Sequence, residues 1–374
     1  MRIVADPNIP FVQEAFGPLG EVRLVPGREI NAGAVHDADA LLVRSVTPVN
    51  AALLDGSPVK FVATATIGID HVDQEYLSLK GIGFASAQSS NANSVAEYVV
   101  AAMLHMAQRR KLRLRDKTLG VIGVGNVGSH VVRDAQALGM RILQNDPPRA
   151  RAGKAPQFIS LERLLTEADV ISLHVPLIRE GSDATFHLFD KDRLTTLKVR
   201  KPILINTSRG AVVDNKALLK AIDGEWLGGV VLDVWENEPN ISPELLDVVD
   251  LGTPHIAGYS FDGKVNGTRM IYRALCDSFG IEPSWEPILP PPPVPRVELT
   301  VSSDEDDEEV VRRVVRRIYD IAADDVALRK NILTFDKLRA EYPIRREFFN
   351  TALVLRGATE ILRAKFAALG FKMG

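Results

Sequence analysis

The chain has 374 residues, of which 46% are hydrophobic, and its 45 basic and 48 acidic side chains give a net charge of −3. Basic and acidic residues are interleaved, which argues against a nucleic-acid or anionic-membrane surface and leaves small molecules or other proteins as partners. At this length we expect two or three domains.

The cysteine content and the N-terminus indicate a cytoplasmic protein. Cys276 is the single cysteine, so no internal disulfide can form, and no Cys/His cluster has metal-ligand spacing. The first residues, "MRIVADPNIP", reach Asp6 too soon for the apolar core of a signal peptide, and no apolar run is long enough to cross a membrane. We therefore expect a cytoplasmic protein without a metal centre.

Predicted strands and helices alternate along the chain in a pattern typical of parallel α/β sheets. In the first 92 residues, short apolar runs ("RIVAD", "EVRLV", "ALLVRS", "KFVATAT", "GIGFASA") alternate with helix-like stretches. A long helix is predicted over 93–115, and a second series of strands follows: "TLGVIGVG", "RILQND", "DVISLHVP", "PILINTS" and "GGVVLDVW". The predicted fold class is α/β, with two doubly wound parallel-sheet domains.

The last quarter of the chain is predicted to be a separate, smaller α/β domain. Consecutive prolines over 281–296 favour a stiff linker. Beyond it, strand and helix patterns alternate, and a helix predicted over 304–320 has acidic residues at its start and basic residues at its end, which suits the helix dipole.

The segment "VIGVGNVGSHV" predicts a dinucleotide site in a Rossmann domain. Gly123, Gly125 and Gly128 have G-x-G-x-x-G spacing between a strand and a helix, which lets a pyrophosphate approach backbone N–H groups. Asp146 ends the next strand, eighteen residues after Gly128, where a carboxylate accepts hydrogen bonds from ribose hydroxyls and disfavours a ribose phosphate. NAD is therefore the expected cofactor, although the nearby Arg149 leaves NADP open.

Three further polar groups follow apolar strands, where ligands bind in such sheets. They are Arg209 in "INTSRGAVVD", Glu238 in "VVLDVWENEP" and His255 in "GTPHIAGYS". Singly, each is more often a structural or solvated residue. Together they supply a cation for a carboxylate, an imidazole to accept a hydroxyl proton and a carboxylate to orient that imidazole, as hydride transfer requires.

These blocks, in this order, resemble the signature of the D-isomer-specific 2-hydroxyacid dehydrogenases over about residues 1–280. The segments "HIAGYSFDGK", "GTRMIYRALC", "YDIAADDVALRK" and "FDKLRAEYPIRREF" extend the resemblance over nearly the whole chain, to a branch that oxidises a phosphorylated 2-hydroxy acid in pyridoxine biosynthesis. The resemblance implies that Arg209, Glu238 and His255 are catalytic. It implies substrate contacts from Ser45, Thr66 and Tyr259. Further cofactor contacts are implied for Asn126, Val127, Val175, Asn206, Thr207, Ser208, Asp233 and Gly258.

The resemblance also implies a domain plan and a homodimer. The plan has a substrate-binding domain (1–92 and 257–280), an NAD-binding Rossmann domain (93–256), the linker (281–296) and a C-terminal dimerisation domain (297–374). A cleft between the two larger domains would close on the substrate.

Two departures from the wider family affect the substrate contacts. Thr66 stands where many relatives have glycine, which adds a hydroxyl suited to a hydroxyl-rich substrate, and Ile178 stands where relatives often have threonine. A phosphorylated substrate needs cationic partners, for which Arg44, Arg345 and Arg346 are candidates.

Two alternatives stay open at this point. A phosphoglycerate dehydrogenase would carry an amino-acid-sensing C-terminal domain. A corepressor-like protein would use the same core to bind NAD without turnover.

Overall fold

The computed structural model describes residues 1–153 and 157–374, and these residues form three parallel sheets. The strands are β1 Arg2–Ala5, β2 Glu21–Leu24, β3 Ala40–Val43, β4 Phe61–Thr64, β5 Gly83–Ser86, β6 Thr118–Ile122, β7 Arg141–Asn145, β8 Val170–Leu173, β9 Ile203–Asn206, β10 Gly229–Leu232, β11 Leu251–Gly252, β12 Arg296–Thr300, β13 Ala352–Arg356 and β14 Lys372–Met373.

Helices separate most of these strands. The α-helices are α1 Val12–Phe16, α2 Ala32–Val35, α3 Ala51–Leu54, α4 Gln74–Leu79, α5 Ala92–Arg110, α6 Asn126–Ala137, α7 Pro147–Arg151, α8 Leu161–Glu167, α9 Lys191–Thr196, α10 Asn215–Asp223, α11 Pro243–Val248, α12 Phe261–Phe279, α13 Asp307–Ile318, α14 Ile321–Lys330, α15 Phe335–Ala340 and α16 Glu360–Ala368. Single 3-10 turns occupy Gly17–Leu19, Leu114–Asp116, Gly210–Val212, Ile332–Thr334 and Phe348–Asn350.

The chain divides into two compact units. The first contains Met1–Asn91 and Ser260–Pro291, and the second contains Ala92–Tyr259 and Pro292–Gly374. In the first unit the strand order is β2-β1-β3-β4-β5, with every neighbouring pair parallel. Its central strands β3 and β4 are fully buried, which explains why their sequences are continuous apolar runs.

The larger sheet of the second unit has the order β11-β10-β9-β8-β6-β7. The direction of strand progression reverses at β6 and β8, so this sheet has a topological switch point there, the place where open α/β sheets bind nucleotides. The predicted α/β class with doubly wound parallel sheets is confirmed.

The C-terminal residues form a third sheet, ordered β12-β13-β14, within the second unit. Val310 and Val314 on one face of α13 share a buried core with residues of α5, so the tail packs on that helix. The Asp306 side chain caps α13, whose first turn is acidic and whose last turn is basic, as the sequence predicted. The four-part domain plan remains a prediction.

The long helix α5 is shorter than the sequence suggested. It ends at Arg110, where Lys111 adopts a left-handed backbone with φ 52° and the Leu112 N–H returns to the Ala107 carbonyl at 3.0 Å. This left-handed closure satisfies carbonyls of the last turn and redirects the chain toward β6.

Among the residues that the structure describes, no helix is both long enough and apolar enough to span a membrane.

A buried carboxyl on α6 makes the stability of the protein depend on pH. Asp134 is 1% exposed, and desolvation raises its pKa from 3.8 to about 6 even though Arg133 Nε donates to it at 2.7 Å. The fold therefore favours the protonated acid, and its stability falls as pH rises through the window between these two pKa values.

We expect Asp134→Asn to raise the free energy of unfolding by up to about 3 kcal/mol near pH 7 and by almost nothing near pH 4. Denaturant unfolding at several pH values measures this, with Asp247→Asn at an exposed position of α11 as the control. A gain that is the same at both pH values would contradict the assignment.

Candidate active site

The candidate site lies at the carboxyl edge of the larger sheet, where five strands end in register. Ile122 pairs with Leu173, Leu173 with Asn206, Asn206 with Leu232, and Leu232 with Gly252. The residues that come next therefore form a row along one edge of the sheet. They are Gly123, His174, Thr207, Asp233 and Thr253.

The glycine loop after β6 has the geometry of a dinucleotide cradle. Gly123 has φ +84°, and a Cβ at Gly128 would lie 2.0 Å from the Gly123 carbonyl oxygen, so both positions require glycine. A Cβ at Gly125 would meet nothing within 4 Å, so that residue borders open space. The N-terminus of α6, which includes Asn126 and Val127, has no side-chain cap and leaves its N–H groups available to an anion.

Asp146 follows β7 beside this loop, as the sequence predicted. Its carboxylate caps α7 by accepting from Arg149 N at 3.0 Å and also accepts from Val124 N at 2.9 Å. Arg149 returns to the loop by donating to the Val124 carbonyl. The carboxylate thus fixes the glycine loop, and its remaining lone pairs can accept ribose hydroxyls.

The loops after β8 and β9 form the next part of the edge. His174 pairs with Ser172 Oγ at 2.8 Å, and desolvation lowers its pKa to about 3, so the imidazole is neutral at physiological pH. Asn206 Oδ1 accepts from both Ser208 N and Ser208 Oγ, which closes a turn and leaves Thr207 at its tip. Val175 is half-buried beside Gly123, where it is 2.8 Å from the position of an added Cβ.

Asp233, at the end of β10, holds the loop that carries the histidine. Its buried carboxylate accepts from Thr253 Oγ1 at 2.6 Å, from Ile256 N at 2.7 Å and from Ala257 N at 2.9 Å. Desolvation raises the pKa of this carboxyl against the opposing effects of His255 and these donors. These contacts position the loop, and the cofactor contact that the sequence predicted for Asp233 remains a prediction.

His255 and Glu238 form a hydrogen-bonded pair. His255 Nδ1 lies 2.7 Å from Glu238 Oε2, and Glu238 Oε1 accepts from Trp235 N at 2.8 Å. Desolvation raises the pKa of Glu238, but the His255 charge and these hydrogen bonds outweigh it and hold the pKa below 4.5. Because the ionised carboxylate can only accept, Nδ1 carries a proton and Nε2 is left to act as a base.

The His255 backbone is in the left-handed region, with φ 57°, and its N–H donates to the Asp233 carbonyl at 2.7 Å. A histidine in this region is uncommon and is retained only where neighbours fix it, and such residues concentrate at functional sites. The loop geometry therefore supports a functional role for His255.

Arg209 follows β9 and is half-buried. Its Nη1 donates to the Ser208 carbonyl at 2.8 Å. A Cβ at the next residue, Gly210, would lie 2.0 Å from the Trp235 backbone, so the Arg209 loop packs directly against the turn that leads to Glu238. Gly258 and Tyr259 follow the histidine loop and are half-buried.

The predicted substrate contacts of the first unit lie on its own loops. Ser45 is exposed just after β3, beside half-buried Arg44. Thr66 Oγ1 donates to the Gly68 carbonyl at 3.0 Å and pairs with Thr64 Oγ1 at 2.7 Å. The Thr66 hydroxyl therefore shapes its own loop and has lone-pair capacity left for a ligand.

The tail contributes arginines whose positions the sequence did not reveal. Arg345 is 6% exposed and donates to the carbonyl of Ala257 at 2.6 Å, so it holds the same loop residue whose N–H donates to Asp233. Arg346 is also buried and donates to Asn350. Arg339, which the sequence did not single out, lies with its Cζ 5.5 Å from the centre of the Tyr259 ring.

The open space at Gly125 generates a test of the cofactor site. A Cβ at Gly125 meets no described atom within 4 Å and the residue has a negative φ of −77°, so we expect Gly125→Ala to keep the fold while its methyl group obstructs the pyrophosphate and weakens NAD binding about tenfold or more. NADH fluorescence titration measures the affinity.

Gly128→Ala is the contrasting variant, since its Cβ collides with backbone and must lower the melting temperature. Wild-type NADH affinity in Gly125→Ala would place the cofactor elsewhere.

Comparisons with known proteins agree with this geometry. Residues 83–257 match the NAD-binding domain of the D-isomer-specific 2-hydroxyacid dehydrogenases, and residues 288–370 match a domain of unknown function. The chain is 49% identical to an erythronate-4-phosphate dehydrogenase of Salinibacter ruber, over 93% of this chain and 92% of that one. It is 47% identical to the enzyme of that name from Edwardsiella ictaluri, over 99% of both.

A solved structure provides a further comparison. The D-lactate dehydrogenase from Aquifex aeolicus, complexed with NAD and lactic acid, is 28% identical with a TM-score of 0.63, and the match covers 75% of this chain and 96% of that one. The chain belongs to the D-isomer-specific 2-hydroxyacid dehydrogenase family, among the relatives named erythronate-4-phosphate dehydrogenase.

Proposed function

We propose that the protein oxidises 4-phospho-D-erythronate to 3-hydroxy-2-oxo-4-phosphooxybutanoate with NAD, a step in pyridoxal 5'-phosphate biosynthesis. The observation that carries the chemistry is the His255–Glu238 pair at the carboxyl edge of a nucleotide-binding sheet. The near-full-length similarity to enzymes named for this substrate, tail included, carries the substrate assignment.

The residues of the edge fit NAD. The glycine loop and the N-terminus of α6 would hold the pyrophosphate, and Asp146 would hold the ribose. Asn206, Thr207, Ser208, Val175 and Gly258 would border the rest. When bound, NAD supplies the acceptor for the hydride that leaves C2.

His255 acts as the general base. Its Nε2 accepts the proton of the C2 hydroxyl while the C2–H bond breaks, so that the carbon–oxygen double bond forms without a free alkoxide. Glu238 stays ionised and stabilises the imidazolium that results. Arg209 binds the substrate carboxylate and polarises the developing carbonyl.

Glu238→Gln tests the pair. A glutamine amide can donate to Nδ1 and so favour the tautomer whose Nε2 carries the proton, which is the wrong form for a base. We expect kcat to fall about 100-fold or more, with NAD affinity unchanged, in steady-state assays.

Glu236→Gln is the matched control, because Glu236 lies in the same turn but pairs with His187 at 2.7 Å. Equal losses of kcat in the two variants would show that the turn, and not the His255 pair, determines the rate.

A substrate panel tests the function as a whole. NADH formation from 4-phosphoerythronate should exceed that from 3-phosphoglycerate and from unphosphorylated hydroxy acids. Preference for 3-phosphoglycerate together with serine inhibition would favour a phosphoglycerate dehydrogenase, and NAD binding without turnover would favour a corepressor-like role.

We further propose a cytoplasmic homodimer formed through the C-terminal segment. Apolar side chains are exposed on that segment, among them Val326 at 63% and Leu333 at 89%. Light scattering should give twice the chain mass of 41.0 kDa, and the double variant Val326→Glu/Leu333→Glu should shift the protein toward monomer. A monomeric wild-type protein would contradict this.

A further inference from the structure

Arg339 is a desolvated cation that the proposed mechanism leaves without a role. It lies on α15, and its side chain is only 13% exposed. Its guanidinium carbon is 5.5 Å from the centre of the Tyr259 ring and 6.0 Å from that of Phe335. Aromatic faces stabilise such a cation partly, and the Tyr259 side chain also forms a hydrogen bond with it.

The charge of Arg339 is incompletely compensated. Its ion pair with Asp336 has a nitrogen–oxygen distance of 3.7 Å, too long for a strong hydrogen bond, and the Asp336 side chain is 42% exposed. Arg339 Nε is buried and has no hydrogen-bond partner. An unsatisfied donor on a buried cation is costly, and an anionic ligand would satisfy it.

Arg339 is close enough to the catalytic pair to influence it. Its positive charge contributes to lowering the pKa of Glu238, and the ring of Tyr259 beside it follows His255 by four residues on the same loop. The Glu238 oxygens pair with His255 Nδ1 and accept from Trp235 N, and Arg339 Nε donates to neither of them. Arg339 Nε therefore has a buried donor to offer a ligand near Glu238.

A second buried arginine of the tail, Arg345, contacts this loop and already has a structural role. Arg345 also has two buried donors without a partner, Nε and Nη1, but its Nη2 donates to the backbone carbonyls of Ala257 and Ser94 and so supports the loop. Arg209 is assigned to the carboxylate at the other end of the substrate. In 4-phosphoerythronate the phosphorus is four covalent bonds from C2, so the phosphoryl group lies near the base.

We propose that Arg339 binds the phosphoryl group of the substrate and gives the enzyme its preference for a phosphorylated hydroxy acid. This inference rests on the proposed function. A planar guanidinium can donate two parallel hydrogen bonds to phosphate oxygens, and a desolvated setting strengthens them. Tyr259 borders the guanidinium and forms a hydrogen bond with it. The tail would thus supply a specificity-determining residue as well as a packing surface.

Arg339→Gln tests the assignment, with Arg316→Gln at an exposed position of α13 as the matched control. We expect the ratio of kcat/KM for 4-phosphoerythronate to kcat/KM for erythronate to fall about 30-fold or more, mainly through a higher KM for the phosphorylated substrate. The control should keep the wild-type ratio. Arg339→Lys, which retains the charge but not the bidentate geometry, should recover part of the loss.

Competition by inorganic phosphate gives a readout that does not depend on the hydroxy acid used. Phosphate should inhibit the wild-type enzyme competitively against 4-phosphoerythronate and should inhibit Arg339→Gln at least about tenfold more weakly. If Arg339→Gln does not fold, Arg339→Lys carries the same two measurements with smaller expected changes.

The outcomes separate the two proposals. Equal losses of kcat/KM for the phosphorylated and unphosphorylated substrates, or a shifted pH profile with an unchanged ratio, would overturn the role of Arg339 and leave the proposed function intact. A wild-type enzyme that does not oxidise 4-phosphoerythronate would overturn the proposed function itself.

Discussion

The buried carboxylate of Asp233 organises the catalytic loop. It accepts one hydroxyl and two backbone N–H groups from residues 253–257, and its own carbonyl accepts the His255 N–H. Hydrogen bonds to a charged group contribute about 1.5–3 kcal/mol each, enough together to hold His255 in a left-handed backbone that a histidine seldom adopts. The position of Nδ1 beside Glu238, and hence the tautomer that makes Nε2 a base, depends on this constraint.

Residues of the tail also hold this loop in place. Arg345 donates to the Ala257 carbonyl, and its guanidinium carbon lies 4.3 Å from the centre of the Tyr319 ring. The adjacent Glu347 accepts from Ser94 Oγ at 2.7 Å on α5. Buried Glu97, whose pKa desolvation and Glu347 raise well above the ordinary value, accepts from Phe348 N at 2.8 Å. Removing one of these side chains would leave its buried polar partners without hydrogen bonds, so the tail and the loop form one network.

The sequence was sufficient to predict the sheets and the cofactor loop, because both depend on local patterns. Apolar runs between helical stretches predict a parallel sheet, and glycine spacing reports a turn that only glycine permits, as Gly123 and Gly128 demonstrate. The strands of such a sheet end at one edge. His255 and Glu238 each follow one of these strands, so their proximity could also be predicted from the sequence.

Contacts between residues far apart in the sequence could not be predicted from local patterns. Arg339 stands in "FDKLRAEY", where alternating charges are typical of a solvated helix face, and nothing local indicates its burial against Tyr259. Arg345 offered a weak signal, because "IRREFF" sets two arginines among apolar residues. The structural role of Asp233 was easier to predict. A single acidic residue in the apolar segment "VVLDVW" is expected to be buried with the strand, and a buried carboxylate needs hydrogen-bond donors.

A crystal structure of the protein with NADH and the 2-oxo product tests the catalytic role of His255 most directly. We expect His255 Nε2 to lie within about 3.2 Å of the C2 oxygen, with the Asp233 contacts to Ile256 N and Ala257 N retained. A C2 oxygen bound to another side chain, with His255 facing away from it, would contradict the account.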